Sequence, residues 1–430
     1  MTPGARIAAA MEVLQDIEIR KRPAADALKD WGLLHRFAGS KDRAAIASLV
    51  FDAERNRASS AFLMGNESPR AIMLGALRRA RGMDSARVAT LCTGEGHAPP
   101  PLGAEEEERL AKGDLSGAPS FVAADFPEWL EPSLNAVFGQ SLVAEMSALA
   151  TRAPVDLRVN TLKTTREKML RALAHLHAVP TPYSPAGLRL SLTPDGRGPA
   201  LAAEPAYIKG LVEIQDEGSQ LAAVLANAKP GEQVLDLCAG AGGKTLALAA
   251  QMQNRGQIHA NDRDGARLMR SFARLERSGV RNVQLHPPRG DKDVLGFLEG
   301  RCDLVFIDAP CTGTGTWRRN PDAKWRMRPG ALAIRTAEQD AVLKEAARFV
   351  KPGGRILYAT CSILREENED RLAAFLAAHM SYRSLPVREM TGMAGLPELE
   401  RFESPFGFGL RLTPLTAGTD GFFIAMLMRR

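Results

Sequence analysis

The sequence predicts an α/β protein built on a doubly wound parallel sheet, with a small α+β module and an all-helical domain ahead of it. Two observations carry this. From about residue 211 onward, strand-like and helix-like segments alternate, the order that folds into βαβ units. Through the first ninety or so residues, apolar side chains instead recur at helical spacing.

In the helical part, Ile7, Met11, Leu14 and Ile17 fall on one face, and Ile46, Leu49, Val50 and Ala53 on another. Ser68-Pro69 has the form of an N-cap followed by proline at the first helical position. The stretch GEGHAPPPLGAEEEERLAKGDLSGAPS mixes proline, glycine and an acidic run, the composition of a linker or long surface segment. Residues 1–125 are thus expected to be a helical domain plus linker. Residues 126–210 read as the α+β module: VDLRVNTL alternates, TTREKMLRALAHLH is helical with Thr164 or Thr165 as cap, and LRLSLTP alternates again. Residues 211–430 carry the strands QVLDLCA, QIHAND, NVQLHP, DLVFIDAP and RILYATC. The helices among them begin after Lys244 and in DGARLMRSFARLERSG, TAEQDAVLKEAARFV and EENEDRLAAFLAAH. Val, Ile and Leu dominate these strands, as expected of a sheet covered by helices on both faces.

Composition narrows the function. A chain of 430 residues has room for two or three domains. With 45% hydrophobic and 25% charged residues it matches a globular protein. No apolar run approaches the roughly 18 residues of a membrane span. The amino end interrupts its apolar residues with Glu12, Asp16 and Glu18, unlike a signal peptide, so a cytoplasmic protein without membrane contact is expected. A net charge of +6 permits a polyanionic partner without demanding one. The five cysteines are odd in number and include no Cys-x-x-Cys pair, which points away from a disulfide framework and from a zinc site. No metal is expected, and any cysteine that matters is a free thiol.

The run Val234-Leu235-Asp236-Leu237-Cys238-Ala239-Gly240-Ala241-Gly242-Gly243-Lys244-Thr245 takes an apolar strand through a glycine-rich turn into a helix. Such a turn lets a ligand approach the backbone and presents the helix amino end. It is not a phosphate loop, because Cys238 stands where that pattern needs its first glycine. Asp262 closes the next strand, where an acid meets ribose hydroxyls or, equally, caps the following helix. Asp236, and Asp291 in RGDK, are further candidate carboxylates. Glycine turn and strand-end acid favour a nucleoside-bearing cofactor, without choosing between a nicotinamide dinucleotide and S-adenosylmethionine.

Two thiols, Cys311 and Cys361, stand at the carboxyl ends of strands, where ligand crevices of open α/β sheets lie. Cys92 and Cys302 read as small core hydrophobes, and Cys238 as packing in the cofactor turn. A thiolate beside a methyl donor suits alkylation of carbon 5 of a pyrimidine, which becomes nucleophilic only after addition at carbon 6. A base must then remove the proton on carbon 5. A second thiol serves, or positions a water that does. Asp308 is a candidate partner for the ring nitrogen at position 3, and Lys244 a candidate charge for lowering a thiol's pKa. Downstream, TWRRNPDAKWRMR packs five basic residues and two tryptophans into one loop. That composition fits gripping single-stranded RNA as well as it fits a loop pinned by core tryptophans.

At these residues the sequence resembles the RNA cytosine-5 methyltransferases of the Sun/RsmB family. The likeness covers most of the chain, through IQDEGSQLAA, VLDLCAGAGGKT, DAPCTGTGTWRRNPDAKW, ATCSILREENE and GTDGFFIAMLMRR in the family's order. PVDLRVNTLKTTRE looks like the family's small RNA-binding module, and the amino-terminal helices with DRAAIASLVFDAERN look like its NusB-type RNA-binding domain. The resemblance implies a Rossmann-like domain that uses S-adenosylmethionine to methylate a cytidine in RNA, with 16S ribosomal RNA or a small-subunit assembly intermediate as partner. A transfer-RNA enzyme, or a non-catalytic RNA-binding assembly factor, are the alternatives, and a monomer suffices. It also implies that Cys361, in Thr-Cys-Ser, attacks, and that Cys311, in Asp-Ala-Pro-Cys, assists release. DNA cytosine methyltransferases attack instead with the Pro-Cys thiol. Cofactor contacts carry over to Cys238, Ala239, Gly240, Ala241, Gly242, Gly243 and Lys244, and to Asp262, Asp291 and Asp308. Where the family usually reads Ala-Pro-Gly-Gly-Lys, this chain has Gly240-Ala241-Gly242-Gly243-Lys244, keeping the glycines without the proline.

Overall fold

A computed structural model describes residues 1–192 and 198–430. Thr193 and Pro194, the end of the expected strand LRLSLTP, lie outside the described residues. Packing divides the chain into two units, residues 1–152 with 316–328, and residues 153–315 with 329–430.

The first unit is helical. Its helices include Pro3–Arg20, Ala24–Leu34, Ser40–Arg55, Arg57–Met64 and Pro69–Arg81. The Ser68 side chain accepts from the Ala71 amide with Pro69 opening the helix, so the cap forms as expected. Ile7, Leu14, Ile17, Ile46, Leu49, Val50 and Ala53 are all in one core, while Met11 packs at its edge. The expected linker is only partly irregular, because Ala104–Lys112 is a helix. Its Leu110 is fully buried, and its Glu106 accepts two hydrogen bonds from the Arg70 guanidinium at 2.7 and 2.8 Å. The acidic run read as linker therefore supplies a packed helix, since one leucine and one fork-shaped ion pair suffice to dock it. By packing, helices Glu131–Phe138 and Leu142–Leu149 also fall in this unit.

Residues 316–328 belong to the same helical unit although they arrive from the far side of the sequence. Trp317, Arg318 and Lys324 are buried. The Lys324 ammonium donates to the carbonyls of Arg55 and Asp125, and Trp325 Nε1 donates to the Glu54 carbonyl at 2.7 Å. Asp322 accepts from the Ala24 amide at 3.1 Å, and Arg55 donates to the Arg318 carbonyl at 3.0 Å. Burial lowers the Lys324 pKa to about 8 and raises that of its neighbour Glu54 to about 7. Of the two readings of this loop, these contacts favour the pinned one. Arg326 and Arg328 remain exposed.

The second unit holds two sheets. A four-stranded antiparallel sheet, in the order β2-β3-β1-β4, comprises β1 (Val155–Val159), β2 (Val179–Pro180), β3 (Gly187–Leu190) and β4 (Val212–Ile214). Helix Arg166–Ala172 follows β1, and Thr165 is the cap, accepting from the Lys168 amide. Leu157, Val159, Met169, Leu173 and Leu188 form the module's core.

The larger sheet is made of β5 (Gln233–Asp236), β6 (Gln257–Asn261), β7 (Val283–His286), β8 (Cys302–Asp308), β9 (Val350–Thr360), β10 (Tyr382–Ser384), β11 (Leu410–Leu412) and β12 (Phe422–Arg429). Its order is β10-β12-β9-β8-β5-β6-β7, with β11 paired to β12. Strands β5 to β9 are mutually parallel, as the alternation predicts. The sheet is not parallel throughout: β12 runs antiparallel to β9, from Phe423 opposite Thr360 to Met428 opposite Arg355. Leu304 and Phe306 of β8 enter the core on one face, Val305 and Ile307 on the other. In β12, Ile424 and Met426 likewise face opposite to Phe423, Ala425 and Leu427. β12 follows β11 with no crossover helix between them, so the strand–helix alternation does not announce it. The expected helix DGARLMRSFARLERSG is split into Gly265–Met269 and Ser271–Ser278.

Candidate active site

The carboxyl ends of β5, β6, β8 and β9 frame a cleft of about 480 Å³, a size suited to a small-molecule ligand. Cys238, Asp262, Asp308, Cys311 and Cys361 all line it. The structure thus gathers into one place residues that the sequence scatters over more than a hundred positions.

The glycine turn leaves β5 at Asp236 and enters helix Gly243–Gln251. Gly240 and Gly242 have φ of +54° and +81°, a left-handed backbone that side chains strain. A Cβ on Gly242 would also come within 2.7 Å of the Ser271 Cβ. The turn is held from both sides. Asp262 Oδ2 accepts from the Gly240 amide and Oδ1 from the Asp264 amide, both at 2.8 Å, so this acid shapes the turn while also lining the cleft. Arg274 Nη1 donates to the Ala241 carbonyl at 2.6 Å, and its fork is fixed by Glu213 of β4. Arg158 of β1, buried and with its pKa lowered to about 10 by that burial, donates to the Gly243 carbonyl at 3.3 Å. Beneath the turn, Asp236 accepts from the Thr245 hydroxyl at 2.7 Å, and burial raises its pKa to about 7.

Neither arginine carries a local signal as a cofactor residue. Both act on the turn from distant segments, and Arg274 grips the residue where a proline is missing. A charge-assisted hydrogen bond contributes about 1.5–3 kcal/mol. Arg274→Met is therefore expected to weaken S-adenosylmethionine binding roughly tenfold in calorimetry. Unchanged affinity would show that the turn holds its shape alone.

Lys244 Nζ donates to Asp308 Oδ2 at 2.7 Å and lies 5.4 Å from the Phe422 ring centroid. Lys244 is thus engaged by Asp308 and an aromatic face. Asp291 is not brought to the cleft. It is exposed in the turn bridged by Arg289 and Lys292, where Gly290 at φ +59° reverses the backbone. Glu338 bonds both Arg263 and Arg335, the latter at 2.6 Å, and all three line the cleft.

Cys311 Sγ and Cys361 Sγ are 3.4 Å apart, within hydrogen-bond distance for sulfur. The neighbouring Cys361 and burial both hold the Cys311 pKa well above the usual thiol value. Their loops are tied by close backbone approach: the Gly315 amide donates to the Cys361 carbonyl at 2.9 Å, and the Gly421 amide to the Gly315 carbonyl at 2.8 Å. A Cβ on Gly315 would sit 2.1 Å from the Gly421 oxygen, which is why both positions need glycine. Cys92 and Cys302 are buried, and burial pushes Cys302 up to about 12, as fits inert core thiols. Cys238 is likewise held well above its usual value by burial.

The residues fit S-adenosylmethionine: a glycine turn at a helix amino end, a strand-end carboxylate bonded to it, and a cleft of nucleoside size. Fold and site together define a Rossmann-like methyltransferase that depends on this cofactor. Residues 223–428 match the family model described as 16S rRNA methyltransferase RsmB/F, and residues 126–195 match the RsmF/B-like ferredoxin-like domain. The chain is 35% identical over 309 residues to the probable ribosomal RNA small subunit methyltransferase B of Synechocystis, covering 71% of this chain and 67% of that one. It is 34% identical to ribosomal RNA small subunit methyltransferase B of Sodalis glossinidius, over 70% of this chain and 65% of that one. The alignments thus span about two thirds of these relatives' length. Among solved structures, PH0851 superposes with a TM-score of 0.72 at 25% identity over 99% of both chains. A methyltransferase homologue from Pyrococcus horikoshii gives 0.60 at 28% identity, over 74% of this chain and all of that one. The chain belongs to the RsmB/F family of 16S rRNA methyltransferases.

Proposed function

We propose that the protein methylates carbon 5 of a cytidine in small-subunit ribosomal RNA, through a covalent bond between Cys361 and carbon 6 of the base. The observation that carries this reading is the 3.4 Å pair of thiols on the wall of the cleft that Cys238, Asp262 and Asp308 also line. When bound, S-adenosylmethionine supplies an electrophilic methyl group. The Cys361 sulfur, once deprotonated to water, adds to carbon 6 and pushes the electron pair of the double bond to carbon 5, which takes the methyl. Asp308, held by Lys244 through one oxygen, lines the same cleft and is the candidate partner of the ring nitrogen. Release breaks the carbon 5 to hydrogen bond and the carbon 6 to sulfur bond and restores the double bond. Cys311 gives its proton to the departing Cys361 sulfur and takes the proton from carbon 5, ending as it began.

Methylation of transfer RNA, or RNA binding without catalysis in subunit assembly, are the rival readings. The paired thiols have no purpose in the second. To test the proposal, the full-length protein and S-adenosylmethionine carrying a labelled methyl group are incubated with total RNA from cells lacking the protein. The label is expected in 5-methylcytidine of the small-subunit RNA. Label in transfer RNA, at another atom of the base, or nowhere overturns it.

A further inference from the structure

Facing thiols need their two loops held in register, and one buried carboxylate does this. Glu367 follows β9 and is fully buried. Its Oε1 accepts from the Thr312 amide at 2.8 Å and from Gln339 Nε2 at 3.0 Å. Its Oε2 accepts from the hydroxyls of Thr312 and Ser362. Thr312 is the residue after Cys311, and Ser362 the residue after Cys361. The same Gln339 amide also donates to the Pro310 carbonyl at 2.9 Å, just before Cys311. The staple is itself fixed, since the Tyr358 hydroxyl donates to the Glu367 carbonyl at 2.7 Å.

From this geometry we propose that Glu367 is a positioning residue, setting the distance between Cys311 and Cys361 so that release can follow methyl transfer. The inference rests on the roles given to the two thiols above. Glu367 touches neither sulfur in the hydrogen-bond network. It acts through the backbone and hydroxyl of Thr312 and the hydroxyl of Ser362. Glu367 accepts all four hydrogen bonds, so an amide in its place offers N–H groups to the Thr312 and Ser362 hydroxyls, which must reverse to accept although Ser362 Oγ already takes the Leu364 amide and bonds the Thr314 hydroxyl. The loop after Cys311 is then freed from the loop after Cys361. Attack by Cys361 survives, whereas release, which needs both sulfurs in register, does not.

The test uses full-length Glu367→Gln purified from growing cells beside the parent and Cys311→Ala, and looks for a nuclease-sensitive, slower band on a denaturing gel. The expected result is that Glu367→Gln accumulates the RNA adduct as Cys311→Ala does. The band is lost when Cys361→Ala is added, while S-adenosylmethionine binding is retained. Turnover is expected to fall about a hundredfold, the scale of a misplacement near 1 Å. A role confined to stability lowers the melting temperature without trapping RNA. If Cys311→Ala traps RNA and a folded Glu367→Gln does not, the inference fails while the thiol roles stand. If Cys311→Ala traps nothing, the thiol roles fail, and the inference with them. Should Glu367→Gln not fold, Thr312→Val, which removes one donor from the cysteine loop, is judged by the same criterion.

Discussion

Cys361→Ala is expected to lose methyl transfer by roughly 10⁴-fold or more, because removing a nucleophile leaves only binding and positioning to act on the base. Cofactor binding should persist. The turn from Cys238 to Lys244 is shaped by Asp262, Arg274 and Arg158, and none of these contacts passes through Cys361. Labelled-methyl transfer and calorimetry with S-adenosylmethionine, run on the same preparation, separate the two effects. Normal turnover in this variant would remove Cys361 from the mechanism. Loss of turnover together with cofactor binding would make its role structural.

The second large effect is expected from Cys311→Ala, and it is a gain. With the second thiol gone, attack and methyl transfer proceed but expulsion of Cys361 stalls, so protein bound covalently to RNA should accumulate in growing cells. Sequencing the trapped RNA identifies the methylated cytidine. The double variant with Cys361→Ala should trap nothing. If Cys311→Ala instead abolishes turnover and Cys361→Ala traps RNA, the two thiols exchange roles, as in the DNA enzymes that attack with a Pro-Cys thiol.

Much of this site is legible in the sequence because its parts are local. A glycine turn, an acid at a strand end and a cysteine after an apolar strand each announce themselves within a dozen residues. The parallel arrangement of β5 to β9 then brings Cys238, Asp262, Asp308, Cys311 and Cys361 to one edge. What stays hidden is support that comes from elsewhere. Arg158 and Glu213 belong to strands of another sheet, Arg274 to a helix, and Glu367 to a run of acids in which no one carboxylate stands out. Their value depends on which carbonyl or amide they meet, and no spacing rule encodes that. β12 escapes notice for a different reason: it joins the sheet antiparallel without a crossover helix, outside the alternation that marks β5 to β9. In the same way the segment TWRRNPDAKWRMR shows its composition but not its surroundings. The aliphatic stem and charge of Lys324 suit a pocket of backbone carbonyls as well as they suit a phosphate.

That segment bears on the order of events during synthesis. The pocket made by the carbonyls of Arg55 and Asp125 is translated early, but the residue that fills it lies beyond position 315. At the usual pace of translation, the gap between residue 152 and residue 328 takes on the order of ten seconds. The helical unit is therefore the first to start folding, yet it waits on the strands of the catalytic sheet for its last piece. During that interval its buried carboxylate Glu54 has no lysine beside it. A ribosome paused there displays a helical domain that still lacks the segment which completes it.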